Sequence, residues 1–216
     1  MSFFIKTPHI KAIAFDWGGV LIEDPALGFL KLLSVRFQCS QEELTLHLSA
    51  SMHDFQRGFV SEEHFLSNLA KKLNRPNAKR PFWKEALREV YREHNVVHDL
   101  ARFLRKKGYF IGLITNTEMP ARDFHLECNY DFFDARIFSC EEGVAKPEKR
   151  IYELMAKRLG VTNNELIIID DKRENIDGAI NAGSFGILYK NPQQLAYELE
   201  IYGIPKFDYP RYQQYL

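Results

Sequence analysis

Asp16 ends a short apolar run, Ile10 to Phe15, and is followed by Trp17 and the pair Gly18-Gly19. A carboxylate leaving a buried strand into a tight turn is placed to act as a nucleophile. Alone it would serve equally well as a turn cap, so its company decides. Thr115-Asn116, Ser139 and Asp170-Asp171 close three further apolar runs. Lys146 stands in Gly143-Val144-Ala145-Lys146-Pro147-Glu148, where Pro147 is expected to open a helix and set the ammonium near its positive end.

Phosphoryl transfer to a carboxylate needs an accessible Asp, a cation that lets two anions approach, and donors for the phosphoryl oxygens. Each role has a candidate here. Asp16 is the nucleophile, and Lys146 bridges it to the phosphate. The backbone N–H groups of Gly18 and Gly19, the Thr115 hydroxyl and the Asn116 amide are the donors. Asp170 and Asp171 repel each other unless a cation neutralises them, and Mg²⁺ favours such a site, with few protein oxygens, several waters and a substrate phosphate. Singly these residues are ordinary turn formers, caps or solvated charges. Together they make a site.

Positioning them requires strands that end at one edge of a sheet. From Val96 the pattern alternates strictly. A helix around Val97 to Leu104 closes at Lys106-Lys107-Gly108, and a strand spans Tyr109 to Ile114. Next come a helix at Met119 to Glu127, a strand at Ala135 to Ser139, a helix at Pro147 to Leu159 and a strand at Leu166 to Ile169. A helix at Glu174 to Ala182, a strand at Phe185 to Tyr189 and a helix from Pro192 complete the series. Such alternation implies a parallel sheet covered on both faces, an α/β fold with ligands outside the carboxyl ends of its strands. Between Asp24 and His94 the texture is helical throughout. Leu27, Leu30, Leu33 and Phe37 share a face, Ser40 starts a second helix, and two more run near Ser61 to Leu73 and Pro81 to His94. The chain therefore divides into a core, 1–23 and 95–216, and a helical insert, 24–94.

Composition narrows the partners. Lys and Arg number 29 and so do Asp and Glu, so no global field recruits nucleic acid or an anionic membrane. A local basic run, Lys71, Lys72, Arg75, Lys79 and Arg80, reads as a solvated loop around Pro76. Cys39, Cys128 and Cys140 show no C-x-x-C spacing, which fits free thiols in a reducing cytoplasm. Neither a secretory segment nor a membrane span is expected. The expected partner is a small molecule, and the chain a monomer or weak homodimer. The aromatic tail from Phe207 is expected to dock on the core in preference to another subunit.

The sequence resembles a known family. Phe15-Asp16-Trp17-Gly18-Gly19-Val20-Leu21, Ile114-Thr115-Asn116, Lys146-Pro147 and Ile169-Asp170-Asp171 with Asn175 are similar to the four ordered motifs of the haloacid dehalogenase-like hydrolases. The resemblance spans about residues 8–200. It implies a Rossmann-like core with a small helical cap inserted after the first strand. It also implies a phosphoaspartyl mechanism on Asp16, with Mg²⁺ held by the Asp16 carboxylate, the Gly18 carbonyl and the acid pair. Asp171 is then the direct ligand, with Asp170 and Asn175 in support. Phe55 to Phe65 resembles the cap stretch of bacterial sugar-phosphate phosphatases, which makes Phe55 and Arg57 (and, by its aromatic side chain, Trp83) candidates for substrate contact and a sugar phosphate a candidate substrate. The family's general acid and base, an Asp two residues after the nucleophile, is Gly18 here. Glu23, Asp24 and His53 are the possible substitutes. That gap keeps two rivals open, a metal-free haloacid dehalogenase and a non-catalytic binding protein.

Overall fold

The structure is a computed structural model that describes residues 9–75 and 81–207. Five strands, β1 (Ala12–Phe15), β2 (Phe110–Thr115), β3 (Ala135–Phe138), β4 (Leu166–Asp170) and β5 (Phe185–Leu188), form one parallel sheet in the order β3-β2-β1-β4-β5. Every residue of β1 and β4 is buried, as sheets packed on both faces require. Odd positions such as Ile13, Phe15 and Ile167 face one apolar cluster, and even positions such as Ala12, Ala14 and Ile168 face the other. On the second face small residues let helix α8 (Lys149–Leu159) lie close: a Cβ on Gly112 would stand 2.6 Å from Met155 Sδ.

Phe15 pairs with Ile169, so Asp16 and Asp170 leave the sheet side by side. The chain runs from β1 to β2 on one side and from β3 across to β4 on the other. This is the switch point at which open α/β sheets bind ligands.

Helices α1 (Ala26–Phe37), α2 (Gln41–Gln56), α3 (Glu62–Lys72) and α4 (Trp83–Val90) follow β1 with no strand between them. Ser40 and Ser61 cap α2 and α3 by accepting from the N–H groups of Glu43 (3.1 Å) and His64 (3.2 Å). Phe55 stacks on Phe65 with ring centroids 4.5 Å apart, and both meet Trp83 edge-on. This aromatic nucleus joins the sheet's first apolar cluster without a break.

Three local expectations are corrected. Leu27 does not join the buried face of α1 but is 77% exposed. The helix expected to reach His94 stops at Val90, because Tyr91 to His94 turn back alongside the β1 loop. There the Glu23 N–H donates to the Arg92 carbonyl, and the His94 N–H to that of Leu21, each at 2.9 Å. The strand expected to include Ser139 ends at Phe138, and Ser139 opens the short helix α7 (Ser139–Glu142). Of the basic run, Lys71 and Lys72 end α3 exposed, while Lys79 and Arg80 lie outside the described residues. Phe207 packs on Phe103 of α5 (Asn95–Lys106), ring centroids 5.2 Å apart, and the rest of the tail lies outside the described residues. No helix among the described residues is long and apolar enough to cross a membrane.

His125, on α6 (Met119–Glu127), is 1% exposed in a cage of Trp17, Tyr130 and Phe138, and neither ring nitrogen has a partner. Burial, helped by Arg136 and His98, pushes its pKa down to about 3. Above pH ~6.5 folded and unfolded states both hold it neutral; below that only the unfolded chain takes the proton, so stability falls as pH drops from ~6.5 towards 3. His125→Phe is expected to remove about 2 kcal/mol of the stability lost between pH 7.5 and 5. Urea midpoints of both proteins at the two pH values check this, and an unchanged pH difference refutes it.

Candidate active site

At the carboxyl end of the sheet one ammonium sits between two carboxylates. Lys146 Nζ lies 2.8 Å from Asp16 Oδ2 and 2.5 Å from Asp170 Oδ2, and the lysine and Asp170 side chains are fully buried. Asp16 Oδ1 accepts from the Trp17 N–H at 2.7 Å. Asp170 also accepts from Asn175 Nδ2 (2.9 and 3.1 Å) and from the Lys172 N–H (2.9 Å). Asn175 is itself steadied by the Tyr152 hydroxyl, which donates to its carbonyl at 2.6 Å.

This partition of partners separates the two acids. Burial raises both, but Lys146, Asn175 and the Lys172 N–H hold Asp170 below the usual carboxylate range. At Asp16 burial prevails over Lys146, with Asp170 adding repulsion, and its pKa is pushed up to about 7. Burial works against the Lys146 ammonium, yet its two carboxylates raise it. Asp16 thus has a single donor, the Trp17 N–H, beside Lys146, where Asp170 has Asn175 and the Lys172 N–H.

Lys146 is placed by Asn116, not by a helix terminus. The Asn116 amide donates to the Lys146 carbonyl (2.9 Å), and its oxygen accepts from the Lys146 N–H (2.8 Å), a two-way clamp across 30 residues. Helix α8 begins only at Lys149, after Glu148 as N-cap, so Pro147 does not open it. The expected phosphate-binding role of the Asn116 side chain gives way to this clamp.

The two glycines after Asp16 do different work. Gly19 has φ +81° and donates its N–H to the Ile22 carbonyl at 2.9 Å, so it is not the phosphate donor expected of it. A Cβ there would lie 2.4 Å from Asp171 Oδ2, so glycine is what lets that carboxylate approach. Gly18 has an ordinary φ and no backbone partner for its N–H or carbonyl among the described residues. Among the described residues a Cβ at Gly18 would meet Pro25, whose Cδ stands 3.2 Å away.

Thr115, buried at the end of β2, lines a cavity of about 520 Å³ together with Asp16, Gly18, Asn116 and Lys146. The cavity runs from this charged floor up between α1, α2 and α4. Several sequence candidates lie elsewhere. Phe55 is 1% exposed inside the aromatic nucleus, and Arg57 reaches back to Glu148 at 2.5 Å, tying the helical insert to the core. Neither lines the cavity, whereas Trp83 does. The Ser139 hydroxyl donates to the Gln56 carbonyl (2.5 Å) and accepts from the Thr117 N–H (2.9 Å), which makes it a latch. Of the three substitute acids, only Asp24 lines the cavity; His53 pairs with Asp54 at the surface.

Sequence reasoning missed Glu118. It lines the cavity at 6% exposure, accepts from Trp83 Nε1 at 3.2 Å, and is held above the usual carboxylate range by burial. Its place three residues after Thr115 was the available signal.

The model of the haloacid dehalogenase-like hydrolases matches residues 10–183. The chain belongs to this family. Among its relatives, the sesquiterpene phosphatase astK of Aspergillus oryzae is 29% identical over 82% of this chain and 88% of its own length. Acyl-CoA dehydrogenase family member 10 of Mus musculus is 27% identical over 90% of this chain, which spans only 19% of that protein. A HAD family enzyme of Bacteroides thetaiotaomicron, solved with magnesium and inorganic phosphate, shares the fold at a TM-score of 0.69. It is 21% identical, over 84% of this chain and 94% of that one.

The acid cluster of this HAD-like hydrolase fits a hard cation. Asp16, Asp170 and Asp171 each offer an oxygen within 4.8 Å of the others. Asp171 Oδ1 is buried without a partner, and burial with the Asp170 charge raises its pKa, which suits an oxygen ligand for a cation. Asp170, by contrast, has both oxygens engaged.

Proposed function

We propose that the chain is a Mg²⁺-dependent phosphatase of small phosphate monoesters that works through a phosphoaspartate on Asp16. The observation that carries this is the Asp16–Lys146–Asp170 bridge, whose Asp16 and Lys146 line the cavity, with the unpartnered Oδ1 of Asp171 in the same acid cluster. The naming of astK as a phosphatase and the magnesium and phosphate bound by the Bacteroides enzyme support it. Asp16, the Gly18 carbonyl and Asp171 would hold the ion, and Asp170 would orient Lys146. Bound there, Mg²⁺ supplies the charge that lets a phosphate dianion approach a carboxylate.

In this reading Asp16 Oδ attacks phosphorus while the bond to the ester oxygen breaks, and the alcohol leaves with that electron pair and takes a proton. Water then attacks the acyl phosphate, releases inorganic phosphate and restores Asp16. Lys146, the Thr115 hydroxyl and the Gly18 N–H bind the phosphoryl oxygens. Gly18 offers no acid, and Asp24, which lines the cavity, would relay protons. The insert 24–94 acts as the cap and chooses the alcohol.

Phosphate release from p-nitrophenyl phosphate, followed with Mg²⁺ and with EDTA, tests the reading. We expect release with Mg²⁺, its loss in EDTA and, for Asp171→Asn, a half-saturating Mg²⁺ concentration raised about tenfold or more. Release that ignores EDTA would remove the metal from the mechanism. Chloride release from a 2-haloacid instead would make the chain a dehalogenase, and no turnover of either would leave a binding protein.

A further inference from the structure

We propose that the alcohol half of the substrate is apolar, a long unbranched or isoprenoid-like chain rather than a sugar. The inference rests on the phosphatase reading above and concerns what fills the rest of the same cavity. Above its charged floor the wall is built by Leu30, Leu33, Leu48, Met52, Trp83 and Leu87, from three helices of the insert. At about 520 Å³ the space is several times the roughly 150 Å³ that accommodates benzene.

A sugar needs many donors and acceptors on this wall, and above the floor its polar side chains are few: Thr45, Gln56, Thr117 and Glu118, with the Trp83 indole. The Thr45 hydroxyl donates to the Gln41 carbonyl at 2.7 Å, within its own helix. Glu118 accepts from the Trp83 indole at 3.2 Å and from the Gln56 side chain, so its carboxylate is engaged within the protein. Desolvating a ring of hydroxyls against such a wall leaves them unpaired, which is costly. A hydrocarbon chain loses nothing there. Apart from the buried Glu118, the charged residues of the cavity are Asp16 and Lys146 at its floor and the exposed Asp24, Lys172 and Glu174. The cavity is thus amphipathic in the sense of a phosphorylated apolar alcohol.

The test uses the whole chain with Mg²⁺ and measures kcat/KM for ethyl, hexyl and decyl phosphate below their critical micelle concentrations. Glucose 1- and 6-phosphate and p-nitrophenyl phosphate are run in parallel. The alkyl series has one leaving-group chemistry, so its slope reports chain burial. kcat/KM should rise on the order of three- to fourfold per methylene until the cavity is filled, and decyl phosphate should exceed either hexose phosphate by at least about tenfold. Polar groups set into the half-buried wall, Leu30→Gln with Met52→Gln, should flatten the decyl-to-ethyl ratio. A flat or falling series, or a preferred hexose phosphate, with p-nitrophenyl phosphate still hydrolysed, would overturn the inference and leave the Asp16 mechanism standing. No phosphate release from any compound would overturn both.

Discussion

Asp16→Asn is expected to abolish turnover, with kcat for p-nitrophenyl phosphate falling at least about 10⁴-fold while the fold is kept. The amide preserves shape and the Trp17 N–H contact but removes the nucleophilic charge that Lys146 addresses. Its effect on stability has the opposite sign. Asp16 has a folded pKa near 7, above the ordinary 3.8, so its charged form is penalised in the folded state. Without metal, the stability this group contributes is present below pH ~4 and lost as pH rises through 7. The asparagine carries no such penalty, and Lys146 keeps its bond to Asp170. In EDTA at pH 8 the variant should therefore unfold at a higher urea concentration than the parent. A variant that retains more than about 1% of the rate would end the phosphoaspartate mechanism. One that loses both rate and stability would show a structural role for the residue.

Lys146→Met is expected to damage both. Removing the ammonium leaves the wholly buried Asp170 and its neighbour Asp16 facing each other with only neutral donors. Breaking a buried pair from one side typically costs about 3–5 kcal/mol. The phosphoryl group also loses its cationic bridge, worth on the order of 10³ in rate. Urea unfolding in EDTA and p-nitrophenyl phosphate turnover in saturating Mg²⁺ separate the effects, because metal bound beside the pair should return part of the stability and little of the rate. A variant as stable as the parent in EDTA would mean that the two carboxylates already share a proton without the lysine.

The arrangement explains why Asn116 follows the strand-end threonine. The lysine lies on a loop before α8, and a lysine chain left to itself would keep its charge in solvent. A side-chain amide that both donates to and accepts from the Lys146 backbone fixes that loop, and only then can the ammonium reach Asp16. Gly58, with φ +71°, helps in the same way at the other border. A Cβ there would lie 2.1 Å from the Cys140 carbonyl, so the insert can sit down on the core only through glycine.

Sequence alone determined the alternating α/β core, the helical insert after β1, and the set Asp16, Thr115, Lys146 and Asp170-Asp171. It could do so because buried parallel strands are written as unbroken apolar runs, and the polar residue that ends each run falls at the same sheet edge. Tertiary structure decided what depends on partners distant along the chain. Asp170 was separated from Asp171 by Lys146 and Asn175, which satisfy one carboxylate and leave the other open to a cation. Asn116 was turned from phosphate donor to clamp, and Gly19 from donor to the space beneath Asp171. Tyr91 to His94 were drawn out of a helix by the β1 loop. Phe55 and Arg57 were taken from the substrate by an aromatic nucleus and by Glu148, while Glu118 was brought to the cavity. Periodicity tells which face of an element is buried, but the groups that meet there belong to other elements, and only their packing chooses between roles that one residue type fills equally well.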